Sequence, residues 1–120
     1  MIRIFIFECE KCGYSVRSAG GLTEGLDLNA QTIVCEECKQ LQDAVIAFKV
    51  DAGSGGLKSA PAFADVMNQL SITGPTRWEH FEAACSVDPR HRIREWKQPG
   101  KCPRCGVFIE PSPIPISQWD

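Results

Sequence analysis

Histidine is scarce in this chain, which has only His80 and His91 among its 120 residues. No HExxH pair exists, so hydrolytic chemistry on a histidine-held zinc finds no support. No run approaches the roughly 20 apolar residues that span a bilayer. The apolar opening, Met1 to Phe7, is too short for a secretory signal core with its cleavage site. It reads as a strand, and the protein reads as cytoplasmic with no membrane partner. Gly53-Ser-Gly-Gly56 lacks the Lys-Ser/Thr of a phosphate-binding loop and reads as linker. A basic excess is also missing: 13 Lys and Arg face 15 Asp and Glu, a formal charge of −2. That is the wrong overall sign for nonspecific nucleic-acid binding.

Cysteine, by contrast, is abundant. Seven cysteines in a cytoplasmic chain point to thiolates on metal, or to redox groups, rather than to structural disulfides. Six of them form three CxxC pairs: Cys9/Cys12, Cys35/Cys38 and Cys102/Cys105. Two thiolates separated by two residues bind one tetrahedral ion from a single turn, with sulfur about 2.3 Å from zinc. A glycine after the second cysteine lets the turn take a positive φ and aim backbone N–H groups at sulfur. Gly13 and Gly106 hold that place, and Lys39 holds it in the second pair. Leu, Ile, Val and Phe number 29, enough to fold, but ten Gly and eight Pro leave little room for long regular elements. A metal cross-link would supply stability that a thin core lacks.

Spacing suggests how the pairs share ions. Cys12 and Cys35 are separated by 22 residues, slightly beyond the roughly 15–20 usual for a two-knuckle site, but two hairpins flanking a loose Gly-rich loop can close it, so Cys9, Cys12, Cys35 and Cys38 are expected to form a first site. Cys102 and Cys105 then need two more ligands. Cys85 is the unpaired cysteine, and His91 follows it by six. Seven cysteines and one histidine make eight ligands, enough for two zinc ions. His80 and Asp88 compete for the last place, and Cys85 has the alternative reading of a small buried hydrophobe. An interleaved RING-type order is disfavoured, because 46 residues separate Cys38 from Cys85. Loading both ions would bring the charge to about −5.

Along the chain, residues 2–7 and 14–17 read as a hairpin around the first knuckle, with 31–34 and 44–50 as further strands. Residues 18–30 look irregular and 51–61 look like a Gly-rich linker. Phe63, Val66, Met67 and Leu70 fall on one face of a helix over 62–70. Thr76 to Glu79 fits a capping box, predicting a second short helix to Ala84. Residues 92–96 and 107–109 read as extended. The tail, with prolines at 111, 113 and 115, reads as extended and docked through Trp119. The expected fold is therefore small, metal-stabilised α+β. It has a zinc ribbon over 1–50, a linker over 51–61, and short helices, a zinc knuckle and a docked tail over 62–120.

Phe7-Glu-Cys-Glu-Lys-Cys-Gly-Tyr14 and Lys101-Cys-Pro-Arg-Cys-Gly106 resemble the knuckles of the zinc-ribbon and rubredoxin-like class. The order of CxxCGY, Gly-rich stretch, CxxC, CPxCG and C-terminal Trp-Asp is similar to uncharacterised bacterial zinc-ribbon proteins. The resemblance implies a fold and ligand roles for the six paired cysteines. Three functions follow as expectations. The first is a structural zinc protein acting as a binding or adaptor module for protein or nucleic acid. Its contact would be the segment Arg90–Arg104, which carries six basic residues and Trp96. The ordinary alternative is a solvated face around a packed tryptophan. The second is rubredoxin-like electron transfer, with iron on Cys9, Cys12, Cys102 and Cys105; the 89 residues between those pairs and the surplus Cys35/Cys38 weigh against it. The third is a thiol oxidoreductase using CPRC, which should open a helix after a strand. The strand-like Val107 to Ile109 that follows argues otherwise.

Overall fold

The computed structural model describes residues 2–25, 28–51 and 75–119. Among them are ten strands and no helix. These are β1 Ile2–Glu8, β2 Ser15–Ser18, β3 Leu22–Glu24, β4 Leu28–Cys35, β5 Gln40–Asp51, β6 Thr76–His80, β7 Ile93–Glu95, β8 Gly100–Lys101, β9 Phe108–Ile109 and β10 Ser117–Trp119. The α+β expectation is thus overturned in favour of several small sheets. The helix expected over 62–70 and the linker beyond Asp51 lie outside the described residues.

The second expected helix is corrected directly. Thr76–His80 is a strand that pairs antiparallel with Asp51–Ala47 of β5. Thr-Arg-Trp-Glu-His alternates exposed and half-buried positions, the period of a strand. A ladder of main-chain bonds along β5 outweighs one local capping signal. The Gly-rich stretch is also less irregular than expected, since Leu22–Glu24 pairs with Gln31–Asn29 of β4.

β4 is the axis of the larger sheet. Along one edge it pairs with β5 from Leu28 to Cys35. Its other edge is shared, with β3 beside Asn29–Gln31 and β7 beside Ile33–Cys35. A smaller sheet has the order β10-β1-β2. Here the first and last strands of the description pair, with Ile2 opposite Trp119. The proline tail reaches that sheet by a simple alternation. Prolines 111, 113 and 115 have no N–H to offer; Ser112, between the first two, and Ile116, after the last, donate instead. Ser112 N–H bonds Ile6 O at 2.8 Å and Ile116 N–H bonds Ile4 O at 2.8 Å. β8 and β9 form a separate two-stranded hairpin.

Two apolar clusters hold the sheets together. One joins Ile2 and Ile4 to Leu28, Ala30, Val45, Phe48 and Val50. The other gathers Phe7, Tyr14, Val34, Leu41, Trp96 and Ile109, with Cys9 and Cys102 among them. Between them lies a buried polar link. Asp43 accepts from Ser18 Oγ at 2.9 Å and Thr32 Oγ1 at 2.6 Å, and Thr32 Oγ1 accepts from Gly21 N at 2.9 Å. Burial pushes the Asp43 carboxyl above its ordinary value, against the pull of these donors. Thr32→Val keeps the shape but takes one donor from the carboxylate, which retains Ser18 Oγ and Ala19 N–H, and leaves the Gly21 N–H without its acceptor. It is expected to cost about 1–3 kcal/mol in a urea titration. No helix among the described residues is long and apolar enough to cross a membrane.

Candidate metal centre

Each CxxC pair sits in the loop of a hairpin. Cys9–Cys12 lies between β1 and β2, Cys35–Cys38 between β4 and β5, and Cys102–Cys105 between β8 and β9. All three loops close with the same bond. The N–H of the residue after the second cysteine donates to the carbonyl of the first: Gly13 to Cys9 at 2.8 Å, Lys39 to Cys35 at 2.9 Å, Gly106 to Cys102 at 3.0 Å. That residue has positive φ each time, 81° at Gly13, 79° at Gly106 and 54° at Lys39. Lys39 therefore holds a glycine conformation with a side chain attached. Left-handed backbone costs a non-glycine residue roughly 1–2 kcal/mol, which exceeds the entropy lost by a glycine. Lys39→Gly is expected to raise stability by about 0.5–1 kcal/mol, read as a higher midpoint in a thermal melt.

The side chains of these loops converge into two four-donor groups. One comprises Cys9, Cys12, Cys102 and Cys105; the other comprises Cys35, Cys38, Cys85 and His91. Within each group every donor atom lies within 4.8 Å of every other. The eight residues expected from sequence are the eight brought together, but they are partitioned differently. Cys9/Cys12 meets Cys102/Cys105, not Cys35/Cys38, and Cys85 and His91 meet the second knuckle rather than the third. The groups are nested in sequence: the outer one closes around the inner one. The physical cause is strand pairing. β7 lies against the end of β4, with Ile93 opposite Cys35, and this delivers residues 85–91 to the second knuckle. β10 pairs with β1, which draws the C-terminal end of the chain to the N-terminal hairpin.

The donor geometry suits a tetrahedral ion. Four thiolates at 2.3 Å from zinc stand roughly 3.8 Å apart, and a nitrogen and a sulfur stand about 3.6 Å apart. The outer group has Cys9 Sγ 3.3 Å from Cys105 Sγ and Cys12 Sγ 3.6 Å from Cys102 Sγ. The inner group has Cys38 Sγ 3.7 Å from Cys85 Sγ, and His91 Nδ1 lies 3.4 Å from Cys38 Sγ and 3.6 Å from Cys35 Sγ. These separations are far beyond the 2.05 Å of a disulfide, and all seven cysteines are free. Cys9, Cys35, Cys85 and Cys102 are buried, whereas Cys12 is exposed.

Electrostatics within each group point the same way. The Cys12 N–H leads the stabilisation that brings the Cys9 thiol down to about 6. Against the help of the Val107 N–H, hydrogen bonding to Cys9, burial and the other thiols push Cys105 up to about 12. In the inner group burial opposes ionisation of Cys85. The Asp88 N–H, the Gln42 amide, the Val87 N–H and His91 outweigh it and bring the thiol down to about 6. Burial and the neighbouring Cys35 and Cys85 push Cys38 up to about 12. Full ionisation of either group needs a cation to offset the repulsion among its thiolates.

Further hydrogen bonds orient the donor side chains. Gln42 Nε2 donates to Cys85 Sγ at 3.3 Å while its Oε1 accepts from Ser86 N at 2.8 Å. Asp88, a candidate oxygen ligand, instead builds the turn before His91. Its carbonyl accepts from His91 N at 3.0 Å and its carboxylate binds the Arg90 guanidinium. Glu36 pairs with Arg94 at 2.7 Å, and Glu37 accepts from Arg92 N at 3.0 Å. His80, the other candidate, is in β6 opposite Ala47 and outside both groups. Trp96 is only 6% exposed. Its ring meets Phe7 edge-on at 5.2 Å and its Nε1 donates to Lys101 O at 3.0 Å. The tryptophan of the basic segment thus packs inside, as in the alternative reading of a solvated face around a packed tryptophan. The roles of Gln42 and Trp96 leave no signal in spacing, because Cys85 lies 43 positions from Gln42 and Phe7 lies 89 from Trp96.

Both groups are compatible with zinc-ribbon-like sites. No known protein family, curated protein or solved structure matches this chain.

Proposed function

We propose that the chain is a structural zinc-binding module that holds two Zn²⁺, one in each nested group, and serves as a binding or adaptor unit. The observation that carries this reading is that eight donors fall into two sets of four, each set with its donor atoms within 4.8 Å of one another, close enough for one tetrahedral ion. In each set the protein itself fills four places, which favours structure over catalysis. The ligand sets, Cys₄ and Cys₃His, are those zinc uses in structural sites. Here the outer ion would tie the first hairpin to the C-terminal one, and the inner ion would tie the β4–β5 hairpin to the loop before β7. Native mass spectrometry of protein purified without added metal is expected to find two zinc ions per chain. One ion or none would contradict the proposal.

A second reading retains support from one observation. Cys9, Cys12, Cys102 and Cys105 form a Cys₄ group, which also suits a rubredoxin-like iron. A red preparation with a visible charge-transfer band would favour it; a colourless one with stoichiometric zinc would exclude it. The thiol-oxidoreductase reading is weaker. Cys102 and Cys105 are crowded by two further sulfurs, and the strand β9, not a helix, follows them.

A further inference from the structure

The basic segment 90–104 does not act as a unit. Arg90 is held by the carboxylate of Asp88, and Arg94 by that of Glu36. Lys97, Lys101 and Arg104 are exposed and converge with Lys39 on one cleft of about 560 Å³. This cleft lies between the Cys102–Gly106 knuckle and the Glu36–Lys39 knuckle, with Trp96 as part of its wall. None of these four cations has a carboxylate within ion-pair distance among the described residues. The acidic groups on the cleft are Glu95 and the already paired Glu36. Arg104 is fixed in place: its guanidinium stacks 4.7 Å from the centroid of the Tyr14 ring, and its Nε reaches Lys39 O at 3.4 Å. Four cations without an ion-pair partner thus gather in one concave place on a chain whose formal charge is −2, with Glu95 the one unpaired carboxylate beside them among the described residues.

Next to it stands an exposed aromatic ring. Phe108 is 63% exposed and lies opposite Lys101 across the β8–β9 hairpin. Lys101 lines the cleft and holds its Nζ 6.0 Å from the centroid of the Phe108 ring. An apolar ring of this size left in water beside a row of cations suits a ligand that has both phosphates and flat bases. An acidic peptide would use the cations and leave the ring idle.

We infer that the cleft between the knuckles binds single-stranded nucleic acid, with backbone phosphates on Lys39, Lys97, Lys101 and Arg104 and a base stacked on Phe108. This rests on the zinc reading, because the cleft is walled by two of the proposed metal knuckles. Contacts made through phosphates and a stacked base carry little sequence information, so binding is expected to be sequence-tolerant and similar for RNA and DNA.

Fluorescence anisotropy of labelled 12-mers of uridylate and deoxythymidylate, with the zinc-loaded full chain, tests this. Three or four phosphate contacts to a single strand predict a loss of roughly 20- to 50-fold in affinity between 50 and 200 mM salt. The double variant Lys97→Glu/Lys101→Glu is expected to abolish binding. Phe108→Ala is expected to weaken it about 10-fold without changing the salt slope. Zinc content measured on each sample separates the two ideas. A wild-type chain that holds both ions yet binds neither oligonucleotide overturns this inference and leaves the zinc reading standing; a chain without zinc overturns the zinc reading first. Binding unaffected by the double variant, or displaced equally well by polyglutamate at matched charge, would also overturn the assignment to nucleic acid.

Discussion

Stripping the metal with a strong chelator is expected to abolish the cooperative melt of this protein, with loss of its far-ultraviolet β-signal. The scale of the effect follows from two magnitudes. Structural zinc contributes roughly 10–16 kcal/mol to the folding of small zinc domains near neutral pH, whereas whole domains are stable by only about 5–15 kcal/mol. Either proposed ion is then comparable with the entire margin. Topology sharpens the point. The two halves of the outer group, Cys9/Cys12 and Cys102/Cys105, are separated by 89 residues, and the apolar clusters that would otherwise hold them are thin. Two buried cysteines, Cys9 and Cys102, are themselves members of the second cluster. Removing the ion would leave uncompensated sulfur in the middle of that core. A verified metal-free sample with an unchanged spectrum and melt would contradict the account.

Trp96→Ala is expected to produce the largest loss of any single core substitution, about 3–5 kcal/mol in a denaturant titration of the metal-loaded protein. The indole ties two other parts of the molecule to its own segment. Its ring lies perpendicular to that of Phe7 on β1 with centroids 5.2 Å apart, and its Nε1 donates to Lys101 O on β8; the main-chain bond from Trp96 N–H to Thr32 O on β4 would survive the substitution. Gly100 lies so close beneath it that a Cβ there would stand 2.5 Å from the indole ring. The alanine variant would lose the packing and free the third knuckle from its seat. Trp96→Phe retains a ring against Phe7 but loses the donor to Lys101. It is expected to cost less, about 1–3 kcal/mol. Equal costs for the two variants would mean that the hydrogen bond, not the packing, fixes the hairpin.

The knuckles were legible in the sequence because their physics is local. Two thiols with a residue of positive φ behind them define a turn within five residues, and all three turns lie in the hairpin loops where the CxxC spacing places them. That Cys85 and His91 join a four-donor group was legible by counting candidate donors to eight. How the ligands pair was not legible. Short spacing between Cys12 and Cys35 argues for one shared ion, but the pairing is decided by which strands meet. Ile93 opposite Cys35 and Ile2 opposite Trp119 are contacts between residues about 60 and 117 positions apart, and no local pattern encodes them. The same holds for the segment after Pro75. Thr76 and Glu79 have the residue types of a helix cap, yet the long edge of β5 offers five residues of ladder to Thr76–His80. Tertiary pairing overrides such a weak local preference. The burial of Trp96 is likewise a long-range matter: the sequence offered a packed tryptophan as one of two readings, and the ring that packs against it, Phe7, lies 89 positions away.

The nested partition of ligands is tested most directly by counting zinc in two double variants by native mass spectrometry. Cys12→Ser/Cys105→Ser removes two donors from one group, and Cys12→Ser/Cys38→Ser removes one donor from each. The account predicts one zinc ion retained by the first variant and none by the second. If the first variant loses both ions while the second retains one, the four N-terminal cysteines share an ion and the nested arrangement is wrong.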